Sequence, residues 1–227
     1  MISYYGSKSK VVKHYPPPEH NLIIEPFAGS ARYALLHCEG RKVILNDIYT
    51  NITDIWNYLV QATPEQIMNL PEMKRGDDLR NFDLPPAERN LMSFIVTRGN
   101  SGPRNLYSEW AAKSDEIGKF KERAIRYLDK VRDFKILNED YRKIDDYEAT
   151  WYIDPPYVDG GSKYPHSKID YKELAKWCKT RKGQVIVCEH ADADWLPFRP
   201  LVIERGMKKT KKTISMELIW TNRQADE

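Results

Sequence analysis

Asp154-Pro155-Pro156-Tyr157 carries the most specific chemistry in this 227-residue sequence. Two consecutive prolines lack N–H donors and fix φ, so the segment is rigid and its carbonyls are free to accept hydrogen bonds. Asp154 adds a second acceptor and Tyr157 a flat face. A rigid pair of acceptors beside an aromatic plane suits an exocyclic amino group on a stacked planar base. At average residue frequencies the tetrapeptide arises by chance in roughly one chain in a thousand of this length. Here it also follows directly on the apolar run Thr150-Trp151-Tyr152-Ile153. The competing reading is a proline-rich turn with a packed tyrosine.

Four weaker placements accompany it. Glu25-Pro26-Phe27-Ala28-Gly29-Ser30-Ala31 joins a short apolar run to a helical pattern. Gly29 lets backbone approach a ligand there, and the helix start offers bare N–H groups to an anion. Asn46-Asp47 ends the next apolar run, where an acid can accept both hydroxyls of a ribose. In Asn138-Glu139-Asp140-Tyr141, Asp140 is a candidate acceptor for an adenine amino group. Tyr4-Tyr5-Gly6-Ser7-Lys8 combines aromatics, a permissive glycine and a cation, with an unpacked terminus as the alternative. Neither a P-loop lysine pattern nor a full dinucleotide fingerprint occurs. The five histidines share no metal-ligand spacing, so no metal is expected.

The elements that must hold these residues alternate. Leu22–Pro26, Val43–Asp47, Phe134–Leu137, Thr150–Ile153 and Gln184–Cys188 read as buried strands. Arg32–Cys38, Tyr49–Val60 and Lys172–Lys179 read as helices, and Leu201–Ile203 with Ser215–Trp220 as a terminal hairpin around Arg205–Lys212. From Gln61 to Lys135 prolines break the pattern, no strand signal is clean, and a mainly helical insertion is expected. Strands alternating with helices predict an α/β layer with a largely parallel sheet, whose ligand lies beyond the strands' carboxyl ends.

Composition sets the bounds. With 41% hydrophobic and 30% charged residues, low-complexity disorder, collagen and a coiled-coil rod are excluded. The apolar runs are too short to span a bilayer, and polar residues follow Met1 at once. Three scattered cysteines do not make a disulfide scaffold. A soluble protein of a reducing, cytoplasmic compartment is expected. The net charge of +3 excludes a uniformly basic nucleic-acid coat but not a local basic groove.

In this order, Tyr5-Gly6-Ser7-Lys8, Glu25 to Ser30, Asp47, the span 61–135, Asp140 and Asp154 to Tyr157 resemble one family. It is the amino-group DNA methyltransferases that use S-adenosylmethionine, in the Dam-type (D12 class) adenine-N6 branch. The resemblance implies a Rossmann-like class I methyltransferase with a mostly parallel seven-stranded sheet. Residues 1–60 and 136–227 would form the catalytic domain and 61–135 a small, mainly helical target-recognition insertion. It implies that Phe27, Ala28 and Gly29 line the cofactor, with Glu25, Ser30 and Tyr141 beside them. Asp47 would hold the cofactor's ribose and Asp140 its adenine, while Tyr5 and Lys8 cover the cofactor and the pocket mouth. Asp154 and the Pro155 carbonyl would accept from the target amine, and Asp154 would also border the cofactor. Pro156 completes the rigid turn, and Tyr157 would stack on a base flipped out of duplex DNA. Two departures stand out: Ala31 where many relatives carry Gly, and Glu25 where many carry Asp.

Contacts to double-stranded DNA are sought in three places. Lys208, Lys209, Lys211 and Lys212 could touch phosphates from a hairpin loop. Arg98, Asn100 and Arg104 are residue types that read guanine and adenine edges. Lys163 lies in a glycine-containing segment suited to closing on the base. A cognate restriction enzyme is a further candidate partner, a membrane is not, and a monomer or weak dimer is expected. Rival readings are a cytosine-N4 enzyme, which more often carries Ser at position 154, and an RNA or protein-amide methyltransferase, where an amide-directed enzyme more usually carries Asn there. A third is a silent DNA-binding module of the same fold.

Overall fold

The computed structural model describes residues 4, 6–8, 11–97, 99–190, 192–201 and 217–223. Among these residues seven strands form one sheet: β1 (Leu22–Glu25), β2 (Lys42–Asn46), β3 (Lys135–Leu137), β4 (Ala149–Ile153), β5 (Gly183–His190), β6 (Arg199–Pro200) and β7 (Glu217–Thr221). Their order is β3-β2-β1-β4-β5-β7-β6. The first five run parallel, with Ile24 opposite both Ile44 and Trp151, and Tyr152 opposite Ile186. β7 enters antiparallel beside β5, placing Glu217 opposite His190. This mixed, mostly parallel α/β sheet is consistent with a methyltransferase fold.

All five apolar runs expected as strands are strands, for a simple reason. Alternate residues of each strand feed hydrophobic clusters on opposite faces. Ile23, Leu45, Tyr152 and Ile186 join one cluster; Ile24, Ile44, Trp151, Val185 and Val187 join the other. Strands covered on both faces read as continuous apolar runs rather than as alternation.

Helices α1 (Arg32–His37), α2 (Thr50–Leu59), α3 (Pro64–Met68), α4 (Pro86–Ser93), α5 (Glu109–Lys113) and α6 (Glu116–Val131) supply the first face. α7 (Tyr171–Thr180) covers the second with Leu174 and Cys178. Thr63 and Gln66 form a reciprocal capping box that starts α3. Asp115 accepts from the Gly118 N–H to start α6. The α6 stripe Ile117, Phe120, Ala124, Leu128 and Val131 is buried in the same cluster as Ile23 and Leu45, so the span 61–135 shares the core of the sheet.

At the C-terminal edge the hairpin's first arm pairs at Arg199–Pro200, ahead of the expected Leu201–Ile203. Proline is tolerated there because β6 is the edge strand among the described residues. Val202 and Ile203 lie outside the described residues, as do Tyr5, Arg98, Lys208, Lys209, Lys211 and Lys212. Among the described residues no helix is long and apolar enough to cross a membrane.

Candidate active site

The strand order reverses between β1 and β4, and a ligand crevice is expected beyond the carboxyl ends at that switch point. β1 ends at Glu25 and continues through Phe27, Ala28 and Gly29; β4 ends at Ile153 and continues into Asp154. A cleft opens between them. Its walls include Lys8, Glu25, Phe27 to Ala31, Asp47, Asp154 and Pro156, so most of the expected catalytic and cofactor-binding residues meet in one place.

The turn after β1 has a defined construction. Gly29 has φ +43°, and a Cβ there would press to 3.1 Å on the Tyr4 ring. Its N–H donates to Asp47 Oδ2 at 3.0 Å, its carbonyl accepts from the Trp56 indole at 2.9 Å, and Asp47 Oδ1 accepts from the Tyr49 N–H at 2.9 Å. Asp47 thus ties the β1 turn to the β2 exit, and each of its oxygens keeps a lone pair for a ligand. Burial pushes Asp47 up to about 6, against the two N–H donors. Ala31 is also left-handed, at φ 46°. That explains why glycine suits this position in the family the sequence resembles, and it costs alanine about 1–2 kcal/mol.

The N-terminal segment packs onto this turn. Ser7 Oγ accepts from Ser30 Oγ at 3.1 Å and from Arg32 Nε at 3.0 Å, and Gly6 at φ +72° lies under the Tyr164 hydroxyl. Tyr4 is buried against Phe94 and Tyr164 and lines the cleft. Lys8 is buried among acids: its ammonium lies 2.9 Å from Glu217 Oε1 and 3.4 Å from Asp154 Oδ1, and it donates to the Tyr157 hydroxyl. Burial disfavours the Lys8 charge, but Asp154 and Glu217 outweigh it and hold its pKa above the ordinary value.

Asp154 is pushed up to about 6 by burial, with Glu217 acting in the same direction and Lys8 against it. The Pro155 carbonyl accepts no hydrogen bond among the described residues, whereas the Pro156 carbonyl accepts from the Tyr171 hydroxyl at 2.7 Å. Tyr157 is half-buried, its hydroxyl donating to Glu217 at 2.8 Å and its ring nearly parallel to His190 at 6.4 Å. The following segment is anchored where Glu189 accepts from the Val158 N–H at 3.0 Å. It then returns over the cleft through Tyr164, Pro165 and His166, with Lys163 exposed.

Asp140 and Tyr141 line an adjoining cleft that shares Phe27, Ile48, Pro165 and His166 with the first. Asp140 is held by Arg142 at 2.5 and 2.7 Å, which keeps its carboxyl below the usual range. Tyr141 packs on Phe27 at 5.4 Å. Asn100 bridges to Tyr4, bringing its loop to the cleft, and Arg104 is exposed farther along that loop. Tyr4, from the N-terminal aromatic motif, and Tyr164, from the segment after Tyr157, line the cleft, whereas Glu217 and Tyr15 are site residues that the sequence did not single out. The one local signal was Glu217, an acid opening a run of apolar strand residues.

Comparison with curated proteins gives no match. A family model does match, over 80 of the 227 residues, from Tyr4 through the Gly29 turn, β2 and α2 to Asp83; Asp140 and Asp154 to Tyr157 lie beyond it. Over residues 4–83 the chain matches the family of D12 class N6 adenine-specific DNA methyltransferases.

Proposed function

We propose that the chain transfers a methyl group from S-adenosylmethionine to the N6 amino group of adenine, within a short motif of duplex DNA. The observation that carries this reading is the meeting of Asp154, after β4, with the Gly29 turn and Asp47 in one cleft at the sheet's switch point. The residues suit the cofactor: Asp47 keeps lone pairs for ribose hydroxyls, Phe27 and Ile48 offer apolar faces between the two clefts, and Asp154 suits a nearby positive charge. When bound, S-adenosylmethionine supplies a methyl group on a cationic sulfur, which keeps the electron pair of the breaking bond.

The chain's own task is to prepare the amine. The N6 lone pair of adenine is drawn into the ring and is a poor nucleophile. Accepting its two hydrogens at the Asp154 carboxylate and the Pro155 carbonyl favours a pyramidal nitrogen with an available lone pair. Positioning and electrostatics then give most of the rate. After transfer, the surplus N6 proton is taken up at Asp154 and passed to water. Turning the base out costs a few kcal/mol, which stacking on Tyr157 offsets in part. Incubation with tritiated cofactor and duplex DNA, followed by nucleoside analysis, tests the reading. Labelled N6-methyladenine is expected; labelled N4-methylcytosine, or no transfer, overturns it.

The carboxylates give this activity an acid limb. Asp154 must be ionised to accept from the amine, and Asp47 to accept from hydroxyls. Both are pushed up to about 6. The kcat/KM for the cofactor, which reports groups of the free protein, is expected to fall below about pH 6 more steeply than about tenfold per pH unit, because two groups protonate. The stability effect has the opposite sense. Acids whose folded pKa is raised favour folding below their unfolded value near 4, and that contribution is lost as pH rises through about 6. Flat kcat/KM from about pH 5 to about pH 8 would count against Asp154 and Asp47 in these roles.

DNA contact is proposed for Arg98, Asn100, Arg104, Lys163, Lys208, Lys209, Lys211 and Lys212. Replacing Arg98 and Arg104 together by Ala is expected to relax the site preference if they read bases, or to reduce the salt slope of binding by about 2 if they hold phosphates. Unchanged preference and unchanged affinity would remove that loop from the interface.

A further inference from the structure

The described part of the last strand contributes one acid to the site. Glu217 Oε1 receives the Tyr15 hydroxyl at 2.6 Å and the Tyr157 hydroxyl at 2.8 Å, and lies 2.9 Å from the Lys8 ammonium. Glu217 is only 5% exposed, and the antiparallel register of β7 on β5 delivers it to this point opposite His190. A buried carboxylate with this many donors on one oxygen is held in a single geometry, and it holds its donors in turn.

We propose that Glu217 is a positioning residue of the methyl-transfer site: through one carboxylate oxygen it orients the Tyr157 ring and the Lys8 ammonium, and so sets the charge balance at Asp154. The proposal rests on the reading above, in which Asp154 and Tyr157 contact the target base. Several groups face Asp154 or act on it electrostatically. They are Lys8 from the N-terminal segment, Tyr15 from the stretch before β1, Glu25 from β1, Tyr152 and Tyr157 from β4 and its exit, Cys188 from β5, and Glu217 from β7. Lys8 is the cation of this set, shared between two carboxylates. Glu217 draws Lys8 away from Asp154 and adds its own negative charge, and both effects keep the Asp154 carboxyl more readily protonated than Lys8 alone would allow.

Glu217→Gln keeps the shape and an accepting oxygen but removes the charge. Glu217→Asp keeps the charge but shortens the reach to Tyr157. Carboxyl-selective carbon NMR follows Asp154 without cofactor or DNA, its signal assigned by its loss in Asp154→Asn. In Glu217→Gln the Asp154 midpoint is expected to drop by about one unit and the acid limb of kcat/KM to move with it. In Glu217→Asp the midpoint stays while kcat falls about tenfold with little change in KM for the cofactor, because the ring that supports the base is no longer held. Thermal melting confirms that each variant is folded. An unchanged Asp154 midpoint in folded Glu217→Gln overturns the proposal. If the midpoint shifts but the wild-type chain methylates no DNA, the functional reading fails while the placement of Glu217 stands.

Discussion

Asp154→Ala is expected to lower methyl transfer by about a thousandfold or more while leaving cofactor affinity within about threefold. The substitution removes the acceptor that pulls on the target amine. It does not dismantle the site, because Lys8 keeps Glu217 as an ion-pair partner at 2.9 Å and the Tyr157 hydroxyl keeps Glu217 at 2.8 Å. The cofactor's hydroxyl contacts are assigned to Asp47, on the other side of the switch point. Asp154→Asn restores shape but carries one accepting oxygen and a competing N–H₂ donor, so partial rescue at most is expected. Calorimetric titration of the cofactor and tritium transfer to duplex DNA separate the two effects. Full activity of the alanine variant would sink the assignment. Equal loss of binding and turnover would instead make Asp154 a cofactor ligand alone.

Much of this site is written in short stretches of sequence, and the rest is created by the order of the strands. Asp47 and Asp154 were legible because each ends an apolar run, and a parallel sheet presents such ends along one edge. Gly29 was legible because a strand-to-helix turn that tight tolerates little else. The rigid Asp154 to Tyr157 turn announces itself by composition. Glu217 was not legible in that way. Its partners Lys8, Tyr15 and Tyr157 are far away in the chain, and they meet it only because β7 reverses direction beside β5. Lys8 was expected at the pocket mouth, but the same arrangement buries it between two carboxylates. Asp140 looked like a free acceptor from its position after β3, yet Arg142, two residues on, already holds it. The span 61–135 lacked a clean strand pattern and read as a mainly helical insertion. The apolar stripe of α6 joins the same buried cluster as β1 and β2 by packing on α1, α2, α3 and α5, partners that an amphipathic period does not name.

Glu25→Ala is expected to destabilise the fold by about 3 kcal/mol, lowering the melting temperature by roughly 10 °C for a chain of this size. The reason lies in how α1 begins. Its first position follows Ala31, a left-handed residue with no side chain able to cap the helix. Glu25, 1% exposed at the end of β1, reaches over and accepts the Ala34 N–H at 2.6 Å. A six-residue helix has little stability of its own, so its start depends on that acceptor. Removing it leaves a buried N–H without a partner and a space where the side chain was. Glu25→Gln keeps the accepting oxygen and is expected within about 1 kcal/mol of wild type. The two differ in how they respond to pH. Burial pushes Glu25 well above the ordinary carboxylate value, with Asp154 acting in the same direction and the Ala34 N–H against it. An acid raised in the folded state contributes stability that is complete below its unfolded pKa and lost as pH rises through its folded one. The wild-type melting temperature should therefore decline toward high pH relative to that of Glu25→Gln, which has no proton to lose. Melting curves of the three proteins across pH decide the matter: a glutamine variant as unstable as the alanine one removes the capping role, and parallel pH profiles for wild type and glutamine remove the buried acid.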